Sequence, residues 1–146
     1  MNDTDSKIIS ILQRDGKIAN GRIARQIGVS EETVRRRLIR LVQEGYVRIV
    51  ALVDPAKMGY RLEALIGVEA SPDMVNEVAD ELAKLEEANL VTITTGSFNV
   101  FFSVALRSAS EMLEFLSTKV RSIPGVGRTE VFVNLATKKR DYGVVV

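Results

Sequence analysis

The sequence predicts an α+β protein: a winged helix-turn-helix over residues 1–50, a connection over residues 51–61, and a ferredoxin-like βαββαβ domain over residues 62–146. Two observations carry that expectation. Two amphipathic stretches are separated only by Gly28, Val29 and Ser30, the short Gly-containing turn of a helix-turn-helix. Beyond Gly59 the apolar pattern alternates between strand and helix periods in the order strand, helix, strand, strand, helix, strand.

The first helix carries Ile8, Ile9, Ile11 and Leu12, has Thr4 and Asp5 as candidate N-caps, and stops at Asp15-Gly16. Asn20 is positioned to cap a second helix bearing Ile23, Ala24 and Ile27, which Gly28 ends. Ser30 caps the third, with Glu31 and Glu32 in the first turn complementing the positive end of the helix dipole. That helix runs through Val34, Leu38, Leu41 and Val42 to Gly45. Residues 46–53 are rich in β-branched side chains and read as the wing or a connecting strand; Asp54-Pro55 and Gly59 mark the domain boundary.

In the second domain, residues 62–70 read as a strand. Ser71-Pro72-Asp73 is a helix start, followed by the apolar stripe Met74, Val75, Val78, Leu82 and Leu85. Strands are expected over residues 91–95, 100–106 and 129–135. Ser108 to Glu111 fits a capping box for a helix with Met112, Phe115, Leu116 and Val120, which Pro124-Gly125 breaks. Two helices cover one face of four strands, yet the strands are apolar on both. Val100, Phe102, Val104 and Leu106 point one way; Phe101, Ala105, Leu65 and Phe132 point the other. The uncovered face predicts a homodimer or a higher even oligomer.

The chain has no Cys and no His, which removes disulfides, zinc fingers, thiolate nucleophiles and His-based acid–base catalysis. Its carboxylates are scattered rather than clustered, so neither a metal nor a cofactor is expected. No apolar run approaches the ~18 residues of a membrane span, and the acidic, polar start is unlike a secretory signal; a cytoplasmic protein is expected. Charge is uneven: residues 1–50 hold ten Lys+Arg against six Asp+Glu, residues 51–146 ten against thirteen. An anionic partner for the first part follows.

The third helix concentrates that charge. With Val34, Leu38 and Leu41 inward, Glu32, Arg36, Arg40 and Gln43 fall opposite, and Thr33 and Arg35 flank them. Arg35, Arg36, Arg37 and Arg40 place four guanidiniums on one short helix, suited to phosphates and to guanine edges. Double-stranded DNA is the expected partner, with Ser30 to Arg40 in the major groove. Glu32, Thr33 and Arg36 are the expected base contacts, and Arg35, Arg37 and Arg40 the phosphate contacts. Arg37 lies nearer the core side, where pairing with an acid of its own domain is the alternative.

The order of short motifs resembles the Lrp/AsnC family, the feast/famine regulators, along nearly the whole chain. The matching residues are Asp5-Ser6-Lys7-Ile8-Ile9, Leu12, Asp15-Gly16, Ile23-Ala24, Ile27-Gly28-Val29-Ser30, Thr33-Val34-Arg35-Arg36-Arg37-Leu38, Leu41, Glu44-Gly45, Asp54-Pro55, Gly59-Tyr60, Thr95-Gly96-Ser97-Phe98-Asn99, and Ile123-Pro124-Gly125-Val126 followed by Thr129. The resemblance implies a transcriptional regulator whose second, RAM-type domain assembles dimers into tetramers or octamers. It implies a small effector, usually an amino acid, bound near Gly96, Ser97, Phe98 and Asn99 and near Ile123 and Val126. Asn99 departs from the acid common at that place, and an amide offers no charge to an ammonium. Siroheme decarboxylases share this fold and are an enzymatic alternative, but their chemistry is expected to lean on histidine. A sensor without DNA binding is the other alternative, which the arginine-rich helix opposes.

Overall fold

The computed structural model describes residues 1–140, 143, 144 and 146. The chain divides into two compact units, Met1–Leu52 with Arg140–Val146, and Val53–Lys139. The division falls inside the expected connection, while Arg140, Gly143, Val144 and Val146 group with the first unit.

The first unit contains α1 (Asp3–Arg14), α2 (Asn20–Ile27) and α3 (Glu31–Gln43). Neither Thr4 nor Asp5 is the cap of α1. Asn2 is: its side chain accepts the Asp5 N–H, and the Asp5 carboxylate accepts the Asn2 N–H, both at 3.0 Å. Asn20 is the first residue of α2 rather than its cap; Ala19 precedes it and offers no side-chain acceptor. Gly28 ends α2 at φ 72°, a left-handed conformation that a β-carbon would strain, and its N–H reaches the Ala24 carbonyl at 2.9 Å. Ser30 caps α3 as the sequence predicts. Ile8, Ile23, Ala24 and Val34 form the core, with Ile11, Leu12, Ile18, Ile27 and Val29 around it.

The expected wing strand is not formed. Gly45 at φ 78° turns the chain, and the N–H groups of Tyr46 and Val47 both donate to the Leu41 carbonyl. Ile49, Val50, Leu52 and Val53 then run exposed and without regular structure. Their composition favours extended backbone, but a strand exists only when paired. Among the described residues no strand precedes Leu62.

The second unit comprises β1 (Leu62–Ala70), α4 (Val75–Ala83), β2 (Ala88–Ile93), β3 (Val100–Leu106), α5 (Ala109–Glu114) and β4 (Val126–Val133). The sheet order is β2-β3-β1-β4, every pair antiparallel, the ferredoxin-like plan. β1 and β3 keep their expected bounds, whereas β2 and β4 each start three residues earlier. Ser71 to Asp73 form a turn, and α4 opens at Val75 without a side-chain cap. Ser108 caps α5, but the Glu111 carboxylate takes the Arg107 N–H instead of completing a capping box. α5 continues as a π-helix over Phe115–Val120, where the Ser117 and Thr118 hydroxyls donate to the carbonyls of Leu113 and Glu114.

The alternation in β3 divides the sheet as expected. Val100, Phe102, Val104 and Leu106 are buried with Ile66 and Val68 against Val78, Leu82, Phe115 and Val120. On the other face Leu65 and Phe132 remain 37% and 42% exposed.

Candidate nucleic-acid interface

α3 buries Val34 and Leu41, half-buries Leu38 and presents Glu32, Arg35, Arg36, Arg40 and Gln43 to solvent. The Ser30 hydroxyl accepts the Thr33 N–H at 3.2 Å and lies 2.8 Å from the Thr33 hydroxyl, so these two side chains fix each other at the start of the helix. Arg35 donates two hydrogen bonds to the Glu32 carboxylate, at 2.8 and 2.9 Å. The bond from Arg35 holds the Glu32 carboxyl below its ordinary value, with the charges of Arg35 and Arg36 assisting.

Arg37 and Arg40 meet elsewhere. Arg37 donates to one Asp5 oxygen at 3.0 Å, and Arg40 donates to the other at 2.7 Å. Asp5 is 1% exposed, a charged side chain buried in this unit. Burial pushes its carboxyl up, but the Asn2 N–H, the Arg37 bond and the charges of Arg40 and Arg37 outweigh it, and the carboxyl lies below its ordinary value. The open alternative for Arg37 is the one the geometry adopts. For Arg40 the sequence offered no such signal, because Asp5 reads locally as a cap. Among the described residues Arg36 is the arginine of α3 without an ion pair.

The two expected effector segments come together at one end of β1. The Asn99 side chain accepts the Ala70 N–H at 2.8 Å and donates to the Ala70 carbonyl at 2.9 Å. On the other side Ala70 pairs with Val126, and the Ser71 N–H donates to the Gly125 carbonyl. Gly96 and Ser97 are exposed, whereas Phe98 is buried. The Phe98 ring lies across Gly67, where a β-carbon would come within 2.7 Å of it, and edge-on to Phe101 and Phe132. The Arg128 guanidinium stands 4.7 Å from the Phe98 ring centre. Ile123 belongs to the core and Val126 packs against it. Ile123 also lines an open depression of about 420 Å³, which none of residues 96–99 reaches. Among the described residues no group of acids could hold a metal, and no helix is long and apolar enough to cross a membrane.

A short-turned helix pair with a polar, cation-bearing second helix, joined in one chain to a ferredoxin-like unit, is the architecture of a two-domain DNA-binding regulator. The comparisons agree. Residues 1–48 match the winged helix-turn-helix DNA-binding model and residues 63–144 match the Lrp/AsnC ligand-binding domain. An uncharacterised HTH-type transcriptional regulator of Pyrococcus furiosus is 38% identical over 99% of each chain. The HTH-type transcriptional regulator FL11 of Pyrococcus horikoshii is 34% identical over 95% of this chain and 92% of its own. The E. coli AsnC structure superposes over 100% of this chain and 99% of its own, with a TM-score of 0.90 at 25% identity. A Neisseria meningitidis transcriptional regulator, solved as an L-Met complex, shares the fold with a TM-score of 0.90 at 23% identity, over 99% and 96%. The chain belongs to the Lrp/AsnC family: it is a transcriptional regulator with a helix-turn-helix DNA-binding domain and an Lrp/AsnC ligand-binding domain.

Proposed function

We propose that the protein works in the cytoplasm as a homo-oligomer that reads a pseudo-palindromic operator with α3 and answers to a small molecule. DNA binding is assigned to residues 1–50, joined through residues 51–61 to an assembly and sensing unit. The observation that carries the reading is the exposed face of α3, where Ser30, Glu32, Thr33, Arg35 and Arg36 stand together beside the turn at Gly28. Glu32, Thr33 and Arg36 are assigned to base edges, and Arg35, once released from Glu32, to a phosphate. A two-fold dimer requires half-sites about one helical turn (~34 Å) or a multiple apart.

The test is selection of bound genomic fragments by the purified protein at two salt concentrations. One pseudo-palindromic motif, with affinity falling steeply as salt rises, supports the reading; recovery at background level overturns it. Arg36→Ala is expected to cost about 1–3 kcal/mol on the selected site and to relax preference at one base position. Uniform weakening across all sequences would reassign Arg36 to the backbone.

The open face of the sheet supports self-association: Leu65, Phe101 and Phe132 form an apolar patch that no helix among the described residues covers. Phe132→Glu is therefore expected to lower the oligomeric state in sedimentation at micromolar concentration while circular dichroism stays unchanged. An unaltered mass would place the interface elsewhere. Tetramers or octamers are the next level of that assembly.

The effector is assigned to the end of β1, where Gly96 and Ser97 present backbone and a hydroxyl to solvent. An amino acid is the first class to test, by the melting shift each of a panel produces. Phe98, Asn99, Ile123 and Val126 are assigned to shaping that end of the sheet. Binding rather than catalysis is the assigned role: the relatives are named transcriptional regulators, and the lack of Cys and His removes thiolate and imidazole chemistry. A tetrapyrrole-dependent absorbance change would revive the enzymatic alternative.

A further inference from the structure

Of the four arginines on α3, three are tied to carboxylates: Arg35 to Glu32, and Arg37 and Arg40 to Asp5, with Glu44 a second and longer contact of Arg40 at 3.9 Å. The first pair is exposed at both ends and is the kind that water and salt loosen. The Asp5 cluster is different. Asp5 sits in the first turn of α1, fixed there by its reciprocal bonds with Asn2. One of its oxygens accepts from Arg37; the other accepts from Arg40 and from the Asn2 N–H. The Asn2 side-chain oxygen also accepts from Arg37, at 3.2 Å. Both guanidiniums approach from α3, three residues apart, on the same side of the helix.

Asp5 is 1% exposed beneath Asn2, Arg37 and Arg40, and Arg40 is itself 46% exposed. Drawing either guanidinium away toward a phosphate breaks a charge-assisted hydrogen bond within the Asp5 network, which costs more than loosening an isolated surface pair. The same two bonds, anchored in a capped helix end, set the rotation and height of α3 against α1.

We infer that Asp5 is a positioning residue for DNA reading, which holds Arg37 and Arg40 off the phosphates and leaves Arg36 as the free arginine of the recognition helix. This rests on α3 being the recognition helix. The consequence is a lower sequence-independent attraction than four arginines would give. Non-specific binding is almost wholly electrostatic, so withholding two cations widens the gap between operator and random DNA.

The test uses the full chain, a duplex recovered by selection and a scrambled duplex, with affinity measured against salt. Arg37→Gln and Arg40→Gln are expected to weaken operator binding through lost positioning while leaving the slope of log affinity against log salt unchanged. Asp5→Asn is expected to steepen that slope on scrambled DNA by about 0.9 per released guanidinium and to shrink the operator-to-scrambled ratio about tenfold or more. A slope flattened by about 0.9 per protomer in Arg40→Gln shows a phosphate contact and overturns the inference. A folded Asp5→Asn with the wild-type slope overturns it equally. If Asp5→Asn does not fold, the two arginine variants decide alone. Salt-independent or absent binding by the wild type is a separate result, which removes the DNA reading itself and this inference with it.

Discussion

Phe102→Ala is expected to destabilise the second unit by about 3–5 kcal/mol. Phe102 is fully buried at the middle of β3, opposite Ile66 on β1 and Val91 on β2, with its ring 6.2 Å from that of Phe115. It therefore joins three strands to the helical layer, and truncation leaves a cavity that three paired strands cannot close by moving. Set against a domain stability of about 5–15 kcal/mol, the loss is a large fraction of the whole. For a unit of this size each kcal/mol moves the melting point by about 4–8 °C. The measurement is thermal or urea unfolding at fixed protein concentration, because oligomerisation makes apparent stability depend on concentration. Leu113→Ala is the control: Leu113 is 69% exposed, and a change within about 0.5 kcal/mol is expected. A loss under about 1 kcal/mol for Phe102→Ala would mean that the core relaxes around the cavity.

How far the sequence predicts this molecule depends on how local each determinant is. Strand β3 was legible to the residue because Val100, Phe102, Val104 and Leu106 alternate without interruption. Gly28 and Ser30 likewise announce their turn through their own conformational chemistry. β2 was misplaced because it opens with Ala88 and Asn89, which carry little strand preference; Ala88 is strand through its pairing with Val104 on β3, and Asn89 lies at the register shift before Leu90. The wing failed for the opposite reason. Residues 46–53 have the composition of a strand, but nothing in the described chain pairs with them.

The site divides in the same way. The outward face of α3 follows from helical period alone. That Arg37 and Arg40 serve Asp5 does not, since the partners lie 32 and 35 residues apart and meet only after α1 packs on α3. Asn99 is the clearest case of a residue whose role the sequence assigned by position. The family resemblance put it at the ligand; the fold uses both ends of its amide on backbone 29 residues away.

That use gives Asn99→Asp a definite expected outcome. The amide acts as a surrogate strand residue, accepting the Ala70 N–H and donating to the Ala70 carbonyl where β3 has not yet begun. A carboxylate keeps the first bond and cannot make the second. It sets oxygen against oxygen at a partly buried site. A stranded polar group costs about 1–3 kcal/mol, and the added charge brings the expected loss to about 2–4 kcal/mol at neutral pH. The sign of the pH dependence follows. Protonation restores a donor, so the introduced carboxyl has a folded pKa raised above its unfolded value near 3.9. The folded state then favours the proton, and the deficit is smallest below about pH 4 and grows as pH rises through the folded pKa. Urea unfolding of the variant and the wild type at pH 4 and pH 7 reads it directly. Asn99→Ala, which loses both bonds and titrates nothing, should show a pH-independent deficit at the same two points. The alternative has its own signature. Were the amide a ligand contact, Asn99→Asp would keep wild-type stability at both pH values and change only the melting shift that an added amino acid produces.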